Sequence, residues 1–299
     1  MPKAKTSHKD TGYFPETLEK DVLRERDARL IARLAAEKRR SLTYCGMCGV
    51  EARDVLKWKN CLGRIEVIER KLPDDGERLL FKTGILSKLT PHFNGNVRVH
   101  FADAWDFLNS PSFGSDFPID VVNLDFCGGL CYEVDMEYPK QRTAFSNLFS
   151  AAARLRSDFL LLMTLMPRDR GSDSYKRYLD SVFSSLRNAV ATSARSEFEA
   201  QIAASKKFHE SGNLPLFKAC LPILLEDIAR GYNFSIRPAY VRFYTTMIHF
   251  AFECSFVPGV LGLPPIDPNT LIRNLNQPIR KLLPNGTEEC QRAPQLTLV

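Results

Sequence analysis

Apolar residues fall into short runs along this chain, and the stretches between the runs repeat at helical spacing. The runs at 42–44, 64–69, 96–101, 119–124 and 159–166 predict five strands. The intervening segments 51–60, 76–89 and 141–155 predict helices. In the last of these, Phe145, Leu148, Phe149 and Ala152 recur at the spacing of one helix face. Strands that alternate with helices imply a parallel sheet covered by helices, so a doubly wound α/β core is expected.

The flanking segments read differently. Residues 16–39 contain neither Gly nor Pro after Pro15 and are dense in good helix formers of mixed charge, which predicts one exposed helix leading into the core. Its apolar residues Leu18, Val22, Leu30, Ile31 and Leu34 form a thin stripe for docking. After Pro167 the alternation stops, and residues 173–231 read as a helical insertion broken only at Ser211-Gly212-Asn213. Segments 240–244 and 247–254, rich in aromatic and β-branched residues around Thr245-Thr246, predict an antiparallel pair closing the sheet. Beyond Val257 come seven prolines, from Pro258 to Pro294, which predict a tail draped over the surface or partly disordered. The expected organisation is a basic tail and helix over 1–39, a core domain over 40–257 and a Pro-rich tail over 258–299.

Composition narrows the function classes. A hydrophobic share of 44% and a charged share of 25% are ordinary for a chain that buries a core. A net charge of +6 leaves nucleic acid open as a partner without demanding it. The longest purely apolar run, 159–163, is far shorter than the ~20 residues of a membrane helix, so no membrane partner is expected. The polar, charged start carries no secretory signal, so the eight cysteines point to a reduced, cytoplasmic setting. Cys45 and Cys48 have the spacing of half a zinc site, but no second pair follows; Cys127 and Cys131 are spaced differently in another element, and no metal is expected.

Four strand ends carry the candidate chemistry. The first runs through Tyr44-Cys45-Gly46-Met47-Cys48-Gly49 into a helix, where Gly46 and Gly49 would let a ligand lie against the backbone. A plain strand-to-helix turn explains the same residues. Glu69 ends the second strand twenty positions after Gly49, the place from which an acid accepts hydrogen bonds from ribose hydroxyls. Alone it would be a surface carboxylate. Asp103, followed by Ala104, ends the third strand and either faces the ligand or caps the next helix. The fourth ends in Asn123-Leu124-Asp125-Phe126-Cys127-Gly128-Gly129, a polar pair with a stacking surface, although Asp125 could serve only its own turn.

These residues resemble the class I S-adenosylmethionine-dependent methyltransferases over roughly residues 40–166, together with the hairpin at 240–254, where that family has its last, antiparallel strand. The resemblance implies a Rossmann-like fold with S-adenosylmethionine as cofactor. It places Tyr44 to Gly49 around the methionine and ribose, Glu69 on the ribose, and Asp103 and Ala104 at the adenine. Asn123, Asp125 and Phe126 then occupy the place of the catalytic motif of amino-methyltransferases, and Asp125-Phe126-Cys127-Gly128 also resembles an element of tRNA guanosine amino-methyltransferases in another register. Both motif prolines are missing, and Thr43 and Tyr44 stand where the family has an acid at the end of the first strand.

A nicotinamide dehydrogenase would need a third glycine before the helix, which is absent. A hydrolase would need an activating base, and none of His8, His92, His100, His209 and His249 sits in a recognisable motif; His249, in an apolar strand, reads as a satisfied core residue. The expected function is methyl transfer to a base amine of RNA or DNA. Lys176, Arg177, Arg187, Arg195, Lys206 and Lys207 of the insertion would either contact phosphates or form a solvated face. The alternatives are a non-catalytic module of the same fold and a protein or small-molecule methyltransferase. Nothing in the sequence sets the oligomeric state.

Overall fold

The computed structural model describes residues 17–70, 72, 74–111, 113–114, 118–126, 137–165, 214–245, 247–258 and 278–291. The elements in chain order are α1 Leu18–Lys38, β1 Leu42–Gly46, α2 Arg53–Trp58, β2 Leu62–Glu69, α3 Asp75–Phe93, β3 Val97–Phe101, α4 Ala104–Leu108, β4 Val121–Asp125, α5 Glu137–Arg154 and β5 Phe159–Leu165. They continue with α6 Leu214–Arg230, β6 Phe234–Tyr244, β7 Met247–Phe256, β8 Ile279–Leu282 and β9 Glu288–Gln291.

The nine strands of the described residues form one sheet in the order β3-β2-β1-β4-β5-β7-β6-β8-β9. Strands β1 to β5 are mutually parallel, and β7 runs antiparallel to both β5 and β6. The chain winds outward from β1 through β2 to β3, then returns to lay β4 on the other side of β1. The order therefore reverses between β1 and β4, the switch point at which open α/β sheets bind ligands beyond their carboxyl ends.

Helices cover both faces, which is why β5 is buried along its whole length. One face packs Trp105, Phe145, Leu148, Phe149, Phe159 and Phe234. The other packs Ile31, Leu34, Val55, Trp58, Phe81 and Ile85. Period-two alternation sends β4 Val121 and β5 Leu160 and Leu162 into the second layer. The next residues of the same parity, Asn123 and Asp125 on β4 and Thr164 on β5, continue that face toward the carboxyl edge. On antiparallel β7, His249 takes the equivalent place beside Thr164. A hydrophobic layer thus turns polar at the switch-point edge.

Helix α1 covers this transition. Thr17 caps it by accepting a hydrogen bond from the Lys20 amide at 3.4 Å, and Glu19 and Asp21 lie in its first turn. Its buried row is Glu19, Leu23, Asp27, Ile31 and Leu34, whereas Leu18 of the expected stripe is 49% exposed. At the other end Lys38 and Arg40 bind Asp120, which is fully buried and also accepts from the Thr43 amide at 2.9 Å. Burial alone would raise the Asp120 pKa, but the bonds from Arg40, Lys38 and Thr43 hold it below its ordinary range.

Beyond Val257 the structure departs from the expected draped tail. Strand β8 pairs parallel with β6, and β9 pairs antiparallel with β8, so residues 279–291 extend the sheet. Arg242 of β6 and Arg26 of α1 both bind Glu288 on β9, joining this extension to α1. Of the expected insertion, 214–230 forms α6, while 173–213 and the basic residues named there lie outside the described residues. Among the described residues no helix is long and apolar enough to cross a membrane.

Candidate functional site

The ends of β1, β2, β3 and β4 meet at the switch-point edge, but their residues play different physical parts. Gly46 lies opposite Asn123 in the β1–β4 pairing. A Cβ built on it would stand 2.2 Å from the Asn123 carbonyl oxygen. Its missing side chain is therefore required by the neighbouring strand, not by a ligand. Gly49 is the opposite case, with φ +60 and, among the described residues, nothing within 4 Å of its Cβ position. It supplies a left-handed turn beside open space.

Tyr44 and Cys45, expected in the cofactor loop, are fully buried core residues that face opposite layers. Burial raises the pKa of both, so Cys45 is a neutral thiol. The loop's amides are partly used within the protein, from Met47 to the Asn123 carbonyl at 2.9 Å and from Ala52 to the Gly49 carbonyl at 3.1 Å.

Glu69 ends β2, where one carboxyl oxygen accepts from the Arg70 amide at 3.0 Å; among the described residues the other oxygen has no partner. Burial raises its pKa above the ordinary glutamate range, only partly opposed by Arg70. Such a half-satisfied acceptor beside an open glycine turn fits the ribose hydroxyls of an adenosyl ligand. Asp103 behaves as a cap: it accepts from the amides of Trp105 at 2.9 Å and Asp106 at 3.3 Å, and Lys140 approaches it at 3.6 Å. Ala104 is buried as the first residue of α4. Through this cap Asp103 fixes α4, which places Trp105 against Phe126 with ring centroids 4.6 Å apart and planes 19° from parallel.

At the tip of β4, Asn123 donates to Asp54 at 3.1 Å and to the Tyr44 hydroxyl at 3.3 Å. Asp54, on α2, is also bound by Arg24 of α1. Asp125 and Phe126 are half-buried, and the Phe126 amide donates a hydrogen bond to the Thr164 carbonyl at 2.9 Å. Burial raises the pKa of Asp125, as it does that of Asp54, against the nearby positive charges. A small polar cavity of about 30 Å³ lies between α1 and this edge, lined by Lys20, Arg24, Asp27, Asp54, Asp125 and His249 among others.

Four of these, Lys20, Arg24, Asp27 and Asp54, were not evident from the sequence as site residues. Asp27 carried a signal, because it shares the helical row of Leu23, Ile31 and Leu34, and a carboxylate in an apolar row implies a buried partner. Its partners are Tyr240, whose hydroxyl donates to it, and His249, with Nε2 at 3.3 Å. His249 is hydrogen-bonded as expected of a core histidine, but it lines the same cavity as Asp125.

No protein-family model matches the chain. No curated protein matches it in sequence. Solved structures match it in backbone path. Trm1 from Pyrococcus horikoshii, in complex with S-adenosyl-L-methionine, is 11% identical over 98% of this chain and 66% of its own, with TM-score 0.43. The putative methyltransferase yhhF from Escherichia coli is 11% identical over 82% of this chain and 92% of its own, with TM-score 0.41. The N-methyltransferase NodS from Bradyrhizobium japonicum, in complex with S-adenosyl-L-homocysteine, is 14% identical over 78% of this chain and 87% of its own, with TM-score 0.38. These are remote likenesses, and no residue role passes from them to this chain.

Proposed function

We propose that the chain is an S-adenosylmethionine-dependent methyltransferase whose acceptor is a base amine of RNA or DNA. The observation that carries this reading is the arrangement across the switch point. Glu69 and the open turn at Gly49 lie on the β1–β2 side, and Asp125 and Phe126 lie on the β4 side. An adenosyl ligand held by the first pair presents its reactive end to the second.

When bound, S-adenosylmethionine supplies an electrophilic methyl group that a nucleophilic nitrogen can take. The chain's part is to bind, orient and accept a proton. Phe126, stacked on Trp105 in the layer opposite to Asp125, offers an aromatic platform just beyond the end of β4 for the ring of a base. Asp125, its carboxyl raised in pKa by burial, is suited to accept the proton that the amine loses. The net charge of +6 supports a polyanionic partner.

A second reading, a non-catalytic module of the same fold, is favoured by α1, which packs over the β4 edge and leaves there a cavity of about 30 Å³. Incubation with methyl-labelled S-adenosylmethionine and total RNA, DNA or protein separates these readings. Label in a nucleic-acid fraction is the expected result. Label confined to protein would move the acceptor class, and cofactor binding without transfer to any fraction would favour the module.

A further inference from the structure

Three strands set polar residues abreast under α1. Asp125 of β4 pairs in register with Thr164 of β5, and Thr164 pairs with His249 of β7. The His249 Nδ1 lies 2.9 Å from the Thr164 hydroxyl, which is also hydrogen-bonded to Tyr244. Its Nε2 lies 3.3 Å from Asp27 and 3.4 Å from the Tyr240 hydroxyl. His249, Thr164 and Asp27 are at most 5% exposed, so their ring and side-chain positions are fixed by packing.

Charge decides the state of this cluster. The groups facing His249 are Lys20, Arg24 and Asp27 from α1, Asp54 from α2, Asp125 from β4, and Tyr240 and Tyr244 from β6. Arg242, opposite His249 in the β6–β7 register, is held by Glu288. With neutral tyrosines and ionised carboxyls, three acids face two bases, and burying that surplus negative charge is costly. One more positive charge neutralises the cluster, and His249 is placed to carry it.

We propose that His249 is a charged positioning residue for Asp125, its ring fixed by Asp27 of α1 and Thr164 of β5, so that Asp125 stays ionised toward the acceptor. The doubly protonated ring donates from Nδ1 to the Thr164 hydroxyl and from Nε2 to Asp27. Burial opposes that charge, but Asp27, Asp125 and Asp54 outweigh it and raise the His249 pKa. The stability it contributes is full below the ordinary histidine value of about 6.5 and is lost as pH rises through the folded value. Helix α1 is on this account part of the site and not only its cover.

The role assigned to Asp125 rests on the methyltransferase reading, whereas the charge of His249 does not. Carbon-detected NMR titration of the full chain, without cofactor or acceptor, reads both groups directly. In the wild type the His249 midpoint is expected above the ordinary value. D27N should lower it by about one pH unit or more, the usual effect of losing an opposite charge at this range. H249Q, which keeps a hydrogen-bonding side chain without the charge, should raise the Asp125 midpoint. A His249 that is neutral throughout, a midpoint unmoved by D27N, or an Asp125 midpoint unmoved by H249Q would overturn the proposal. Failure of the methyltransferase reading shows separately, as no methyl transfer by a wild type whose His249 titrates as expected.

Discussion

Replacement of Asp125 by alanine is expected to slow methyl transfer by about 10²–10³ while leaving cofactor affinity close to that of the wild type. The asymmetry follows from position. Asp125 stands at the tip of β4 on the face shared with Thr164 and His249, one strand beyond β1, whereas Glu69 lies at the tip of β2 on the other side of β1. On the proposed reading a group on the β4 side acts on the acceptor nitrogen and its proton, so its loss is felt in the transition state more than in cofactor binding. Single-turnover rates beside equilibrium titration with S-adenosylhomocysteine check this. Equal loss in both measurements would place Asp125 in the cofactor site instead. Full turnover in the variant would remove it from the reaction.

Gly46→Ala is expected to be the most damaging of the conservative changes at this edge. The added methyl would stand 2.2 Å from the Asn123 carbonyl oxygen and 2.9 Å from its carbonyl carbon. Those atoms belong to β4 backbone that pairs with β1 on one side and β5 on the other, so they cannot yield as the end of a flexible side chain would. Overpacking of this kind costs about 3 kcal/mol, which lowers Tm by about 6–12 °C for a domain of this size. Gly49→Ala makes the contrast, since no described residue lies within 4 Å of its Cβ position and only its φ of +60 is strained. It should cost about 1–2 kcal/mol in stability and weaken cofactor binding more than Gly46→Ala does at temperatures where both variants are folded. Paired thermal melts check the ranking, and a Gly46→Ala protein as stable as Gly49→Ala would contradict the strand-contact explanation.

The strands β1 to β5 and the hairpin were legible in the chain because each is a local signal, an apolar run bounded by polar turns, and the layers follow from alternation alone. Strands β8 and β9 were not. Each is four residues long within a proline-rich stretch, and pairing with β6, a partner remote in sequence, is what makes β8 a strand. The site was legible in position and less so in role. Strand ends name Glu69, Asp103, Asn123 and Asp125, but only contacts show that Asp103 caps α4 and that Gly46 serves the neighbouring strand. Tyr44 and Cys45 are core residues because a central strand is buried on both faces up to its end. The part played by α1 was hidden for a related reason. Asp27 and His249 are 222 positions apart, and neither has meaning without the other.

Calorimetric titration of the wild type and Glu69→Ala with S-adenosylhomocysteine bears most directly on the assignment of an adenosyl site. Saturable binding to the wild type is predicted, with a melting temperature that rises with ligand by mass action, about 2.7 kcal/mol of stabilisation at a hundredfold excess over Kd. Glu69→Ala should melt as the free wild type does and bind more weakly, by about 10-fold for the loss of a hydrogen bond to a charged group. A wild type that gives neither heat nor a melting shift with S-adenosylhomocysteine or S-adenosylmethionine would contradict the assignment.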